Sequence, residues 1–205
     1  TAPRLRSPGR GCSSCPCWGP PKGSPKLALT DAAVVIPGTG FMYLAPAETA
    51  QPASLTAPAA PWENLGHTSR EDGLTITRDG GDSEVLGTWQ NPALRERRDP
   101  TTFAITAFLH QVDNTVLELY FGAGDIATAG EFGVTTTTGT TAKALYVRIV
   151  DGTNEIGLYV PRVSVAAEDD VEVDVENFLS FPIRATVLQV SGSNLMTFFA
   201  DDLGA

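Results

Sequence analysis

The stretch Ala144–Val160, ALYVRIVDGTNEIGLYV, decides the fold. Two apolar-rich runs, Ala144–Val150 and Ile156–Val160, flank the cluster Asp151-Gly152-Thr153-Asn154. Asp, Gly and Asn tolerate the backbone of a tight reversal, so the stretch predicts a β-hairpin. Valines, isoleucines and tyrosines fill both arms, as a pleated and partly buried surface favours.

The same rhythm of short runs and turn signals extends outward in both directions. Downstream, Pro161 breaks the pattern before a run at Arg162–Ala166. Val171–Glu176 (VEVDVE) sets valines at 171, 173 and 175 against acids at 172, 174 and 176, which predicts a strand with one buried face and one carboxylate stripe. Phe181–Val190 reads as a long strand, Ser191–Asn194 as a turn and Leu195–Ala200 as the closing strand. Upstream lie a short run at Glu131–Thr136 and a strong strand at Thr102–His110, with Phe103, Ile105, Ala107 and Leu109 on one face. Between them, Asp113–Phe121 fits one short helix: Thr115 and Glu118 have capping-box spacing, Val116, Leu117, Tyr120 and Phe121 share a face, and Gly122 can end it. Leu117, Leu119 and Phe121 also alternate, so a strand stays open there.

Further upstream, Leu74–Thr77 and Ser83–Trp89 flank Asp79-Gly80-Gly81-Asp82, which reads as a hairpin turn. Gln90–Pro100, with Arg95, Glu96, Arg97, Arg98 and Asp99 bounded by two prolines, reads as a charged surface loop or flap. Trp62–Thr68, Phe41–Leu44 and Ala32–Ile36 are further extended runs. Residues 45–61, APAETAQPASLTAPAAP, carry no pattern and read as an extended arm stiffened by proline. Many short strands at regular spacing predict a mainly β chain, a sandwich or barrel with one flanking helix near 113–121.

Composition bounds the rest. The 205 residues suit one domain, or one domain with an appendage. Hydrophobic residues at 42% permit a packed core. No run approaches the ~20 apolar residues of a membrane helix. Charge is unevenly placed. Residues 1–26 hold five of the 14 basic residues and none of the 24 acids, which leaves residues 27–205 with nine bases, 24 acids and a net charge of −15. The first segment also holds Cys12, Cys15, Cys17 and six prolines, and shows almost no apolar periodicity. It is expected to be disordered, or to come from an over-long gene start upstream of Leu27. Its three cysteines fall one ligand short of a closed zinc site and cannot form a closed disulfide set.

Signatures of catalysis are scarce. His67 and His110 are the histidines, and no nucleophile elbow or phosphate-binding loop is present. Gly122-Ala-Gly124-Asp-Ile-Ala127 neither follows a strand nor opens a helix, as a dinucleotide fingerprint must. Asp79, Asp82 and Glu84 have the chemistry for calcium but are more readily turn formers. An enzyme therefore has little support. A carbohydrate-binding or adhesion module would need exposed aromatics; Trp62 and Trp89 flank apolar runs and are expected in the core.

The ordered blocks WENLGHTSREDGL (Trp62–Leu74), DGGDSEVLGTWQNPALRE (Asp79–Glu96), LYVRIVDG (Leu145–Gly152), YVPRVSVAAEDD (Tyr159–Asp170) and FPIRATVLQ (Phe181–Gln189) resemble the major tail proteins of long-tailed, non-contractile bacteriophages of actinobacteria. ALTDAAVVIPGTGFMYLAPAETAQP (Ala28–Pro52) is similar to that family's opening. The resemblance spans residues 27–205; residues 1–26 have no counterpart in it. It implies a tail-tube β-sandwich or barrel with a flanking helix. Such subunits form rings, commonly hexameric, that stack into a hollow tube through which DNA passes to the host. Neither cofactor nor covalent chemistry is implied. Other tail components, a terminator or a baseplate part, are the neighbouring alternative.

Physical chemistry adds two expectations to that family. DNA carries about one negative charge per ~1.7 Å of axis, so a basic lumen would trap it and an acidic one lets it pass. Glu172, Asp174 and Glu176 are the candidate lumen-facing acids. Arg95, Glu96, Arg97, Arg98 and Asp99 are the candidate inter-ring contacts, against a solvated turn in which Glu96 and Asp99 satisfy the arginines locally.

Overall fold

In a computed structural model, backbone pairing between these runs builds one eight-stranded antiparallel sheet and a separate two-stranded ribbon. Residues 34–56, 58–125, 128–136, 141–171 and 173–200 are described. The basic cysteine-bearing segment and Glu172 therefore lie outside the described residues. The chain divides into the units Thr1–Val34 and Val35–Ala205, and every strand and the helix belong to the second.

The strands are β1 (Thr39–Pro46), β2 (Glu63–Asn64), β3 (Leu74–Gly80), β4 (Ser83–Leu86), β5 (Arg95–Arg98), β6 (Thr101–Leu109), β7 (Thr141–Asp151), β8 (Asn154–Ala167), β9 (Phe181–Val187) and β10 (Thr197–Ala200); the helix α1 is Asn114–Phe121. The sheet runs β2-β1-β7-β8-β9-β6-β3, with β10 on β8, and is not closed into a barrel. The hairpin predicted from Ala144–Val160 forms, with Asp151 paired to Asn154 around Gly152. Gly152 has φ +59°, the left-handed backbone that glycine adopts without a Cβ clash.

β8 is longer than expected because Pro161 does not end it. Lys143 pairs with Val163 but Leu145 pairs with Val160, so Ala144 alone faces both Pro161 and Arg162. That bulge is where a residue without an N–H can sit in a central strand. The strand also changes neighbours there: Ile156–Tyr159 pair with β10, and Val163–Ala167 pair with β9.

Burial on both faces follows from alternation. Met42, Leu44, Leu145, Val147, Leu158 and Val160 join the larger core with residues of β6, β9 and α1. Tyr43, Ala45, Ala144 and Tyr146 turn to the opposite face and pack with Trp62. Tyr146 stacks between Tyr43 and Phe199, centroids 5.7 Å away on each side, and Trp62 meets Tyr146 and Tyr159 edge-on. Phe199 reaches Tyr146 across Gly157, where a Cβ would lie 2.5 Å from the Phe199 ring.

Ala45 and Pro46 end β1, and Glu48, Thr49 and Leu55 beyond them lie along this aromatic face. The Glu48 amide donates to the Pro161 carbonyl, and the Tyr159 and Tyr146 hydroxyls donate to the carbonyls of Thr49 and Leu55. Burial pushes the Tyr146 phenol up to about 12 and raises Tyr159 as well.

The helix forms where expected, but its cap is Asp113, whose carboxylate accepts the Val116 amide at 2.8 Å, not Thr115. Val116 and Leu119 are its buried residues, and Gly122 at φ +87° ends it. Other expectations for strands fail. Glu131–Thr136 forms no strand; only Gly133 bridges to Asp125. Trp62–Thr68 yields the two residues of β2 and one bridge from Thr68 to Leu109. Of Val171–Glu176, the described residues form no strand either, with Val173 and Val175 86% and 100% exposed.

Candidate functional site

The charged loop takes its form from the pairing of β3. Instead of turning at Asp79–Asp82 and pairing with β4, β3 pairs with β6, from Leu74 opposite Ala107 to Gly80 opposite Thr101. β4 then pairs with β5, from Ser83 opposite Arg98 to Leu86 opposite Arg95. The two ladders form one long hairpin with a break in the middle. Gly80 and Gly81 both have φ +80°, and a Cβ on Gly80 would lie 2.4 Å from the Pro100 carbonyl oxygen. Pro100 opposite has no N–H to give, so regular pairing lapses, while the Asp99 amide still reaches the Asp82 carbonyl at 3.0 Å.

Every residue from Asp82 to Pro100 is exposed. Arg95, Glu96, Arg97 and Arg98 are therefore strand residues of a projecting ribbon rather than an irregular loop. Arg98 Nε meets Glu96 at 2.9 Å and Arg97 meets Asp99 at 3.5 Å, so the locally satisfied arrangement exists. Exposed pairs of this kind contribute about 0–1 kcal/mol and leave guanidinium donors free. Sequence reasoning misses the apolar half of this ribbon. Val85, Leu86 and Leu94 are exposed, and Trp89 at its tip is 101% exposed, contrary to its expected place in the core. Trp62 by contrast is buried at 9%.

The acids of the second candidate group do not form a strand face. Asp174 and Glu176 lie in the exposed loop between β8 and β9. The Asp174 carboxylate accepts the Glu176 amide and Asn177 Nδ2, which bends the chain locally. The loop is held at its ends: Tyr120 donates to the Asp169 carbonyl, His110 Nδ1 lies 3.0 Å from the Leu179 carbonyl, and Arg184 binds both Glu168 and Asp79. Burial and the neighbouring Asp170 and Asp169 raise the Tyr120 pKa.

An open groove beside this loop brings His67, Ser69, Asp72 and His110 into one neighbourhood. No nucleophilic relay forms in it. Ser69 Oγ donates to Asp72 rather than to a histidine, and His110 Nδ1 is engaged by backbone. Asp79 pairs with Arg184, and among the described residues no three His, Cys, Asp or Glu side chains are placed to hold a metal ion. One ion pair is well shielded: Arg148 binds Glu155 through both guanidinium and carboxylate edges, beside the Phe41 ring. The Arg148 hydrogen bond holds the Glu155 pKa below its ordinary range. That pair ties the two arms of the β7–β8 hairpin together.

What the chain exposes is strand margin. β3 is paired on one edge by β6, β10 on one edge by β8, and β4 and β5 only by each other. Natural monomers cover or blunt such edges, because unpaired N–H and C=O groups recruit other strands. Among the described residues no helix is long and apolar enough to cross a membrane.

Comparison with known proteins gives the family. Major tail protein Gp23 of Mycobacterium phage D29 is 34% identical over 191 residues, covering 86% of this chain and 96% of that protein. The Major tail protein Gp23 of Mycobacterium phage L5 matches at the same identity and coverage. The family model described as phage tail tube protein matches residues 27–205, and the chain belongs to that family.

Proposed function

We propose that copies of this chain join edge to edge into closed rings, hexameric by family resemblance, which stack into a tube that DNA traverses without specific binding. Membership of the tail tube family makes the chain a structural component of a phage tail, not an enzyme, and its assembly partners are other copies and other tail proteins. Synthesis in the host bacterial cytoplasm before incorporation belongs to the proposal. The observation that carries the reading is the set of unpaired margins on β3, β10 and the β4–β5 ribbon, in a chain whose groove at His67, Ser69, Asp72 and His110 forms no nucleophilic relay. A ring needs two different, complementary patches on each subunit, and two distinct sheet edges supply them.

Stacking then falls to the projecting ribbon, with Arg95, Glu96, Arg97, Arg98 and Asp99 at the joint between rings. The net charge of −15 on residues 27–205 favours passage of DNA by repelling phosphate over the whole bore. Glu172, Asp174 and Glu176 remain the candidate lumen-facing acids; the described residues 173–176 form no strand face within the subunit, and the charge argument stands without one. Electron microscopy of the concentrated full-length protein tests the reading. Rings or tubes of uniform bore are expected; monomers alone, even with the other tail proteins present, would overturn it.

A further inference from the structure

Two segments of this chain are suited to β pairing and lack it. β5 bonds to β4 along one edge, and no strand among the described residues takes the other. Residues 171–176 carry the strict apolar–acid alternation of a half-buried strand, yet Val173 and Val175 stand in water and no ladder includes them. Their charges are opposite. β5 holds three arginines against Glu96, a net +2, while VEVDVE holds three acids and no base. One face of β5 is purely basic. Arg95 and Arg97 share that face with their partners Leu86 and Glu84, and the other face carries Glu96 and Arg98 with their partners Val85 and Ser83. A strand laid on the free edge with its acids beside Arg95 and Arg97 pairs opposite charges there and brings its valines beside Glu96 and the aliphatic stem of Arg98.

We propose that residues 173–176 of one copy add as a third strand to the free edge of β5 in another copy. This deepens the tube reading and rests on it. The segment straightens as it docks. Asp174 gives up its bonds to the Glu176 amide and Asn177, and backbone groups now in water gain ladder partners. Within one subunit residues 173–176 and β5 are exposed and share no ladder, so the partner is a second copy. Donor and acceptor are different patches of the same chain, so each contact leaves one of each free and the contact propagates.

The test uses three preparations of the full-length protein: wild type, Arg95→Glu/Arg97→Glu, and Asp174→Lys/Glu176→Lys. All substituted side chains are exposed, and circular dichroism checks that each variant folds as the wild type does. Polymer is read as the fraction pelleted at low ionic strength and inspected by electron microscopy. Each variant alone sets like charges against each other across the contact, and its pelleted fraction is expected to fall roughly tenfold or more, the equivalent of about 1.4 kcal/mol. Mixing the two variants recreates opposite charges between unlike copies and is expected to restore tubes. An intrachain contact could not be restored by mixing. Variants that polymerise like wild type, or a mixture that stays unassembled, would overturn the contact while leaving the tube intact. Wild type that never polymerises would overturn the tube reading and this contact with it.

Discussion

Trp62 and Trp89 are equally apolar and equally large, and the fold treats them in opposite ways. Trp62 packs edge-on against Tyr146 and Tyr159, while Trp89 stands in solvent at the tip of the ribbon. The valines divide similarly: Val163 and Val165 are buried in β8, whereas Val173 and Val175 are exposed a few residues on. In the sheet body both faces are covered by the chain itself. At the periphery the chain displays the same side chains in solvent. In a family that assembles by contacts between copies, the first region supplies stability and the second supplies association. The two should respond to substitution on different scales.

The largest effect belongs to the body. Leu109 is fully buried, and its strand holds β3 on one side and β9 on the other. Leu109→Ala removes buried methyl groups and leaves a cavity, and it is expected to cost about 2–5 kcal/mol in a urea unfolding curve. A loss comparable to that of an exposed valine would erase the distinction between the two regions.

A second effect comes from the aromatic face. The Tyr146 pKa stands near 12, against 10.0 for an ordinary phenol, because burial penalises the phenolate. The folded state therefore keeps a proton that the unfolded chain has released. That contribution is complete below about pH 10 and is lost as pH rises through about 12. Melting temperature should fall across this window. Tyr146→Phe lowers the melting temperature at neutral pH by removing the bond to the Leu55 carbonyl, yet should flatten the alkaline decline. Tyr159, also raised by burial, accounts for part of the slope that remains. An unchanged slope in Tyr146→Phe would place the titration elsewhere.

What the sequence made legible was local. The Asp-Gly-Thr-Asn cluster announced the β7–β8 hairpin, because a tight reversal needs those residues whatever surrounds it. The helix at 114–121 was readable from the Thr115–Glu118 spacing, its apolar face and Gly122, although the cap fell on Asp113 rather than Thr115. What escaped depended on partners. Pro161 looks like a strand end until the extra residue opposite Ala144 is known. The glycines at 80 and 81 look like a turn until β3 is seen to pair with β6. VEVDVE shows that a segment can be half-buried but not by what, and within the subunit Val173 and Val175 stay in solvent. The ribbon residues Arg95–Asp99 were legible as charged and exposed, but not as a strand with an open edge, since an edge is defined by its neighbours. Trp89 misled for the same reason: an aromatic beside an apolar run marks a buried site, and its cover here is not in the described part of the same chain.

The smallest effect on the folded subunit separates the two regions most cleanly. Trp89 touches too little of its own chain to contribute to stability, so Trp89→Ala is expected to change unfolding free energy by no more than about 0.5 kcal/mol. Association should respond differently. A large aromatic at the tip of a projecting ribbon is the kind of anchor whose truncation costs about 2 kcal/mol or more at an interface. Polymer formation should weaken well beyond any change in the melting curve. Tryptophan emission reports the same event in the intact protein, because Trp89 emits from water in the monomer and should shift to the blue when tubes form. Trp62, already buried, contributes little to that shift, and Trp18→Phe removes the signal of the third tryptophan. If emission stays unchanged through polymerisation and Trp89→Ala assembles normally, the ribbon tip remains in solvent in the tube and the joint between rings is made by other residues.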